Sequence, residues 1–362
     1  MKQNLKVIQL IDSLTPGGAE MMAVNISNAL AEEGITSYIC ATRSEGDLKK
    51  KISSSTRYLF LGKKSIVDFK AIYTLNKFLS HHQINIIHAH SSSYFMGFVM
   101  KLLNPKLQLI WHDHYGLSEE LAKRSTFPLS WFSRFFTASI AVNSLLLKWH
   151  QKYLVVGNQS FIQNFANFNP SEKVTTFLKG EQGKRIVCMA NLRPQKDHLN
   201  LLKSFAIKNT SHQEWTLHLV GKDFLDGYSE EIKMFIKIHR LENHVFLYGS
   251  CLDTAHILSQ TTIAVLASSS EGLPVSLLEY GLKKLPVVVT NVGDCGSVIT
   301  NNKNGLVVPK ENEEALAKAI NELITNATKR DEFGVELYHH VKKHYSKEAY
   351  IKQLMKIYTN AN

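Results

Sequence analysis

The chain has 362 residues, long enough for two domains of about 170 residues each rather than one core. Hydrophobic residues make up 44% and charged residues 20%, which excludes a disordered chain, and no apolar run reaches the ~18 residues of a membrane-spanning helix. A formal net charge of +11 fits plain solubility or an anionic partner. With no zinc finger, RNA-recognition signature or arginine-rich arm, nucleic acid ranks below a phosphorylated substrate or an anionic membrane surface.

Met1 to Leu14 carries no signal-peptide pattern, so a cytoplasmic location is expected. Leu5 to Ile11 predicts a strand, Ala19 to Glu33 a helix closing near Gly34, and Ser37 to Thr42 a second strand. Ile84 to His90, Leu107 to Trp111 and Ser139 to Val142 predict further strands. The pattern restarts at Lys184 to Ala190, with a helix near Leu199 to Lys208. It continues with strands at Trp215 to Val220, Val245 to Leu247, Thr262 to Ala267 and Pro286 to Thr290, and turns helical from about Glu311. This β-α-β rhythm predicts α/β architecture with parallel, doubly wound sheets. Asn164 to Gly183 lacks periodicity and reads as the linker. The expected division is 1–168, 180–340, and a C-terminal helix, 341–362, packing back toward the first domain. The four cysteines form no C-x-x-C pair, which argues against a disulfide framework or a zinc cage.

Ligands of doubly wound sheets bind beyond the carboxyl ends of the strands, so the loops there are the places to look. The strongest pattern is Ser268-Ser269-Ser270-Glu271-Gly272-Leu273-Pro274, running on to Glu279. Pro274 suits the first turn of a helix, and backbone N–H groups near Gly272 and Leu273 then suit a phosphate. Glu271 precedes the helix and Glu279 lies within it, about 7–8 Å further along the axis at ~1.5 Å per residue. Carboxylates on either side of a phosphate position fit a nucleotide sugar, whose hydroxyl-rich rings flank a diphosphate. An ordinary loop acid and an ordinary helix acid are the plain alternative.

Thr15-Pro16-Gly17-Gly18-Ala19-Glu20 lies between the first strand and first helix; it is not the G-x-G-x-x-G fingerprint, so NAD is not indicated. Gly17 and Gly18 permit close approach of a ligand to the backbone, or simply a tight turn. In Asn191-Leu192-Arg193-Pro194-Gln195-Lys196-Asp197, Arg193 and Lys196 can reach one anion from a single turn, or form a solvated basic loop. His88, His90, His112 and His114 end two strands. Their spacing lacks a metal motif's ligand count, so no metal is expected and a hydrogen-bonding role is preferred, with His88 the best candidate for a buried structural residue. Leu129 to Phe136 carries Trp131, Phe132, Phe135 and Phe136 beside Lys123, Arg124 and Arg134. Such a stripe reads first as core and second as a membrane-facing helix. Lys49 to Lys51 and Lys63-Lys64 are further surface candidates.

Together these motifs resemble family 4 of the glycosyltransferases, retaining enzymes of the GT-B fold, across essentially the whole chain. Gly17-Gly18-Ala19-Glu20 looks like that family's glycine-rich loop, Glu271 to Glu279 its two-glutamate signature, and Asn304-Gly305-Leu306-Val307-Val308 the stretch that follows. The resemblance implies two Rossmann-like domains facing across a deep cleft, the first for the acceptor and the second for the nucleotide sugar. It implies that Glu271 contacts the transferred sugar, Glu279 the ribose, and Gly272 and Leu273 the donor. Arg193 and Lys196 would neutralise the diphosphate. His112 matches the family's active-site histidine best, with His114 as the rival. Asn191 stands where many relatives carry Arg.

The implied activity is retaining transfer of a hexosyl unit from a nucleotide-diphosphate sugar, UDP-linked by resemblance, to a glycan or lipid-linked acceptor in bacterial surface polysaccharide synthesis. No cofactor beyond that donor is implied. A nucleotide-sugar epimerase of the same fold and a non-catalytic nucleotide-sugar binder are the alternatives. Peripheral contact with the inner face of the cytoplasmic membrane stays open.

Overall fold

Strands covered by helices on both faces must be apolar along nearly their whole length, and the central strands here are. The computed structural model describes residues 5–116, 118–168, 173–209 and 213–360. Its chain forms two units, Met1–Phe165 with Lys347–Asn362, and Ala166–Ser346.

The first unit runs β1 (Lys6–Ser13), α1 (Gly18–Glu32), β2 (Thr36–Ser44), β3 (Arg57–Phe60), α2 (Phe69–His82), β4 (Ile86–His90), α3 (Tyr94–Leu103) and β5 (Gln108–Asp113). It continues with α4 (Leu129–Phe132), β6 (Ala138–Ala141), α5 (Ser144–Tyr153) and β7 (Gln159–Phe161). The second unit runs β8 (Arg185–Met189), α6 (His198–Asn209), β9 (Thr216–Val220), α7 (Gly227–Ile238), β10 (Val245–Leu247), α8 (Thr254–Ser259), β11 (Ile263–Leu266) and α9 (Val275–Leu282). Then come β12 (Val287–Thr290), α10 (Cys295–Val298), β13 (Leu306–Val308), α11 (Glu313–Thr325) and α12 (Ala327–His344). The chain ends on α13 (Lys347–Asn360).

All strand pairs are parallel. The seven-stranded sheet has the order β3-β2-β1-β4-β5-β6-β7, and the six-stranded sheet β10-β9-β8-β11-β12-β13. Each reverses direction once, between β1 and β4 and between β8 and β11, which opens a crevice at the carboxyl ends of those pairs. The predicted strands are the interior strands of both sheets and one edge, β10. Three strands were not predicted, β3, β7 and β13, and all three are sheet edges. β7, Gln159-Ser160-Phe161, offers no apolar run to read, and β3, Arg57-Tyr58-Leu59-Phe60, is apolar but short and partly solvent-facing.

The stretch expected as linker is mostly fastened to the second unit, though 169–172 lie outside the described residues. The Asp253 carboxylate accepts the N–H groups of Thr175 and Thr176, both at 2.7 Å, and the Thr176 hydroxyl at 2.8 Å. Gln260 accepts the Leu178 N–H at 3.0 Å. Side chains distant in sequence thus satisfy a backbone that has no secondary structure of its own. The expected boundary at residue 341 falls inside α12. The helix grouped with the first unit is α13, which buries Tyr350, Leu354 and Tyr358 there and pairs Lys347 with Glu32 at 2.5 Å.

Helix α12 braces α9. A side chain at Gly334 would meet the Lys284 carbonyl oxygen at 2.1 Å, and one at Gly281 would meet Val341 at 2.6 Å. In an exposed helix Gly→Ala stabilises by about 1 kcal/mol. Here the backbone must move, so Gly334→Ala is expected to destabilise by about 1–3 kcal/mol, read as a lower denaturant midpoint with unchanged slope.

Candidate functional site

In the second unit the loops after β8 and β11 meet at the switch point. Ser269 donates its N–H to the Gln195 carbonyl at 2.9 Å, tying one loop to the other. Glu271 is buried, and its Oε1 accepts both the Ser268 hydroxyl at 2.6 Å and the Lys196 ammonium at 2.5 Å. A carboxylate taken out of water needs such partners. Thr290, at the end of β12, donates its hydroxyl to the Ser268 carbonyl at 2.6 Å and fixes the loop from below.

Pro274 is the residue before α9 rather than part of its first turn: its ψ of 122° is extended, and the helix begins at Val275. Glu279 lies in the second turn, buried. Its neighbour Tyr280 accepts the Met189 N–H at 2.7 Å, locking α9 to the end of β8. Gly293 has φ +51°, and a side chain there would meet the Glu271 carbonyl oxygen at 2.2 Å. Asp294 next to it donates its N–H to the Gly272 carbonyl at 2.9 Å. Arg193 is exposed, with its guanidinium 4.5 Å from the centre of the Phe224 ring. Asn191 accepts the Lys222 N–H at 2.8 Å and so joins two loops.

In the first unit four histidines stack across the ends of β4 and β5. His88 Nδ1 lies 2.7 Å from the Tyr358 hydroxyl of α13, and its Nε2 lies 3.2 Å from His112 Nδ1. In parallel, His90 Nε2 lies 2.8 Å from Gln9 Oε1 and its Nδ1 lies 2.9 Å from His114 Nε2. His88, His90 and His112 bring their nitrogens within 4.8 Å of one another, a spacing that could hold a metal. Five of those six nitrogens already face protein partners, and His88 stacks on both other rings, so they form a hydrogen-bonded pile and do not converge as ligands. Burial lowers all four: His88 to about 3, His114 to about 4, and His90 and His112 well below the ordinary value. The pile is neutral at physiological pH. His112 is fully buried with Nε2 unpartnered, whereas His114 is partly exposed.

Residues 16–165 match the family Glycosyltransferase Family 4, and residues 171–340 match Glycosyl transferases group 1. The chain belongs to glycosyltransferase family 4. It is 24% identical over 324 residues to an uncharacterized glycosyltransferase of Haemophilus influenzae, covering 86% of this chain and 87% of the relative. It is 22% identical over 305 residues, 77% of each chain, to the UDP-Gal:alpha-D-GlcNAc-diphosphoundecaprenol alpha-1,3-galactosyltransferase of Escherichia coli. Among solved structures, HepE of Anabaena in complex with UDP and glucose superposes with a TM-score of 0.80 at 17% identity, covering 98% of this chain and 99% of that one. The fold of this glycosyltransferase is GT-B, with two Rossmann-like units.

The family 4 chain thus gathers Glu271, Lys196, Gly272 and Leu273 at one switch point, with Arg193 on the same loop as Lys196 and Glu279 inside α9. Gly17 and Gly18 begin α1 in the first unit, where the Glu20 carboxylate folds back over Gly17. Sequence reading missed Tyr280, Gly293 and Asp294, which support the Glu271 loop, and Gln9 and Tyr358, which end the histidine chains. The Asn-Val-Gly-Asp run after β12 was the available signal for Asp294.

The aromatic stripe after residue 129 is core in part: Leu129 and Phe136 are buried and Phe132 and Phe135 half-buried, while Trp131 is exposed. Phe132 and Phe135 pack against Phe98, and Arg124 pairs with the buried Asp113 at 2.6 Å.

Burial holds the Asp294 carboxyl up to about 6. A carboxyl raised in the folded state binds its proton more tightly there, so stability falls as pH rises from the ordinary value near 4 through 6. Asp294→Asn is therefore expected to raise thermal stability at pH 8 by about 1 kcal/mol, discounted for partial exposure, and to match the parent at pH 4. Melting curves at the two pH values test this.

Proposed function

We propose that this enzyme moves a hexosyl unit, with retention, from a UDP-sugar to a lipid-linked or glycan acceptor of a bacterial surface polysaccharide. The observation that carries the reading is the Lys196–Glu271–Ser268 cluster at the β8/β11 switch point. The names of the relatives support the substrate class: UDP-Gal and a diphosphoundecaprenol-linked acceptor for the Escherichia coli enzyme, UDP and glucose for HepE.

In this reading the donor lies on the second unit and the acceptor on the first. Glu271 accepts hydrogen bonds from hydroxyls of the transferred sugar, and Glu279 from the ribose. Lys196 and Arg193 face the diphosphate, with backbone at Gly272 and Leu273 beside it. The bond between the anomeric carbon and the diphosphate oxygen breaks, leaving positive charge on the sugar and negative charge on the leaving oxygen. Cations already in place stabilise that oxygen without reorganising. The acceptor hydroxyl attacks from the same face and passes its proton to the leaving phosphate. His114 takes the active-site histidine's place in preference to His112, because His112 is sealed and His114 is not. With Gln9 Oε1 accepting from His90, and His90 accepting from His114 Nε2–H, His114 Nδ1 is left as an acceptor for a sugar hydroxyl.

Glu271→Gln and Lys196→Ala are each expected to lower transfer at least about a hundredfold in a protein that keeps its circular dichroism spectrum. Full activity in either variant would sink the assignment. Incubation with UDP-sugars, with and without acceptor, followed by NMR of the anomeric proton, is expected to give an acceptor-dependent product of retained configuration. An inverted linkage, or an epimerised donor formed without acceptor, contradicts the reading.

A further inference from the structure

The exposed apolar residues of the first unit include one dense run. Phe60, Ile66, Val67, Phe69 and Tyr73 all face solvent, from 40% exposed at Phe60 to 81% at Phe69. Single exposed apolar side chains are ordinary, but five within fourteen residues form a patch. The segment is held rather than loose. The Asp68 carboxylate accepts the N–H groups of Lys64 and Ala71, both at 3.1 Å, and so closes the turn and caps α2 together. The Ser65 hydroxyl donates to the Val67 carbonyl at 2.7 Å. The fixed turn projects Ile66 and Val67, and α2 then sets Phe69 and Tyr73 one turn apart on the face opposite its buried Ala71, Leu75 and Leu79.

Charge accompanies the patch. Lys64, Lys70 and Lys77 are exposed, and Asp68 is the one acid between Phe60 and Lys77, already engaged as the cap. Lys63, in contrast, is buried. Burial and the Arg43 charge lower its pKa, with Asp12 and Asp68 partly offsetting them. It adds positive potential behind the turn without being a surface contact.

We propose that the turn after β3 and the start of α2 form a docking surface for a bilayer carrying anionic headgroups. Ile66, Val67, Phe69 and Tyr73 enter the acyl boundary, and Lys64, Lys70 and Lys77 meet the phosphates. A second copy of the chain fits worse, since a two-fold contact would set these lysines against each other. The surface lies at the carboxyl end of the first sheet, the end that also carries His114 and Gly17. A docked bilayer would present its headgroups at that end, and this purpose rests on the lipid-linked acceptor of the proposed function.

The test is co-sedimentation of the full chain with vesicles of phosphatidylcholine alone, or with about one third phosphatidylglycerol. Binding at least about tenfold tighter to the anionic vesicles is expected. Ile66→Ser/Phe69→Ser and Lys64→Glu/Lys70→Glu should each lose at least about tenfold in that binding, while the thermal shift given by UDP stays unchanged. Equal vesicle binding by the parent chain and both variants overturns the proposal. So does a parent chain that ignores vesicles but forms a dimer that Ile66→Ser/Phe69→Ser dissolves, which assigns the patch to self-association. Vesicle binding that depends on the patch without any UDP shift upholds the surface and strikes the UDP-sugar donor of the proposed function instead.

Discussion

The second unit is organised around one buried carboxylate. Glu271 lies buried in the loop after β11, and a carboxylate there is tolerable only with partners at hydrogen-bond distance. Ser268 supplies one from three residues away. The other, Lys196, comes from the loop after β8, and reaches because the strand order places β8 beside β11. Were the strands laid down in simple sequence order, β9 and β10 would stand between them. The pair thus depends on the topology, while Gly293 and Thr290 hold the loop in which it forms.

The first unit uses the same strand order and ends in different chemistry. Its switch-point residues are imidazoles, and burial keeps them neutral. A neutral pile can orient hydroxyls but cannot offset a charged leaving group, whereas Lys196 and Arg193 can. In the proposed reaction the first unit would orient the acceptor with neutral groups, and the second would offset the leaving group's charge with cations. The Tyr358 hydroxyl adds a constraint of its own, since it ends one histidine chain from the last helix of the polypeptide and makes α13 part of the first unit's site.

Much of this was legible in the sequence. Central strands announce themselves because burial on both faces demands continuous apolar residues, as in Val287–Thr290. Gly272 and Pro274 punctuate the loop that leads into α9, so the placement of Glu271 and Glu279 could be read at once. Edges were harder to read: β3 and β7 satisfy only half the burial that makes a strand visible, although the edge strand β10 is legible in Val245–Leu247. The partners of polar groups that lie far along the chain, such as Asp253 for Thr175 or Tyr358 for His88, could not be read. Lys63 and Lys64 are adjacent and chemically identical, yet one is buried and the other faces solvent. Only the position of the turn relative to β3 separates them.

The ion pair also bears on the proposed reaction. Lys196 has three donors, and one is given to Glu271 Oε1, so its position is fixed before any ligand arrives. Arg193 is held differently, over the Phe224 ring at the surface. A diphosphate entering beside them would meet one cation locked in place and one carried on a long, exposed stem. The locked cation is the one suited to stabilising charge as it develops, since stabilisation that needs no rearrangement is fully available in the transition state. In the proposed reaction Glu271 would therefore have two tasks: its Oε1 positions Lys196, and its second oxygen would accept from the sugar.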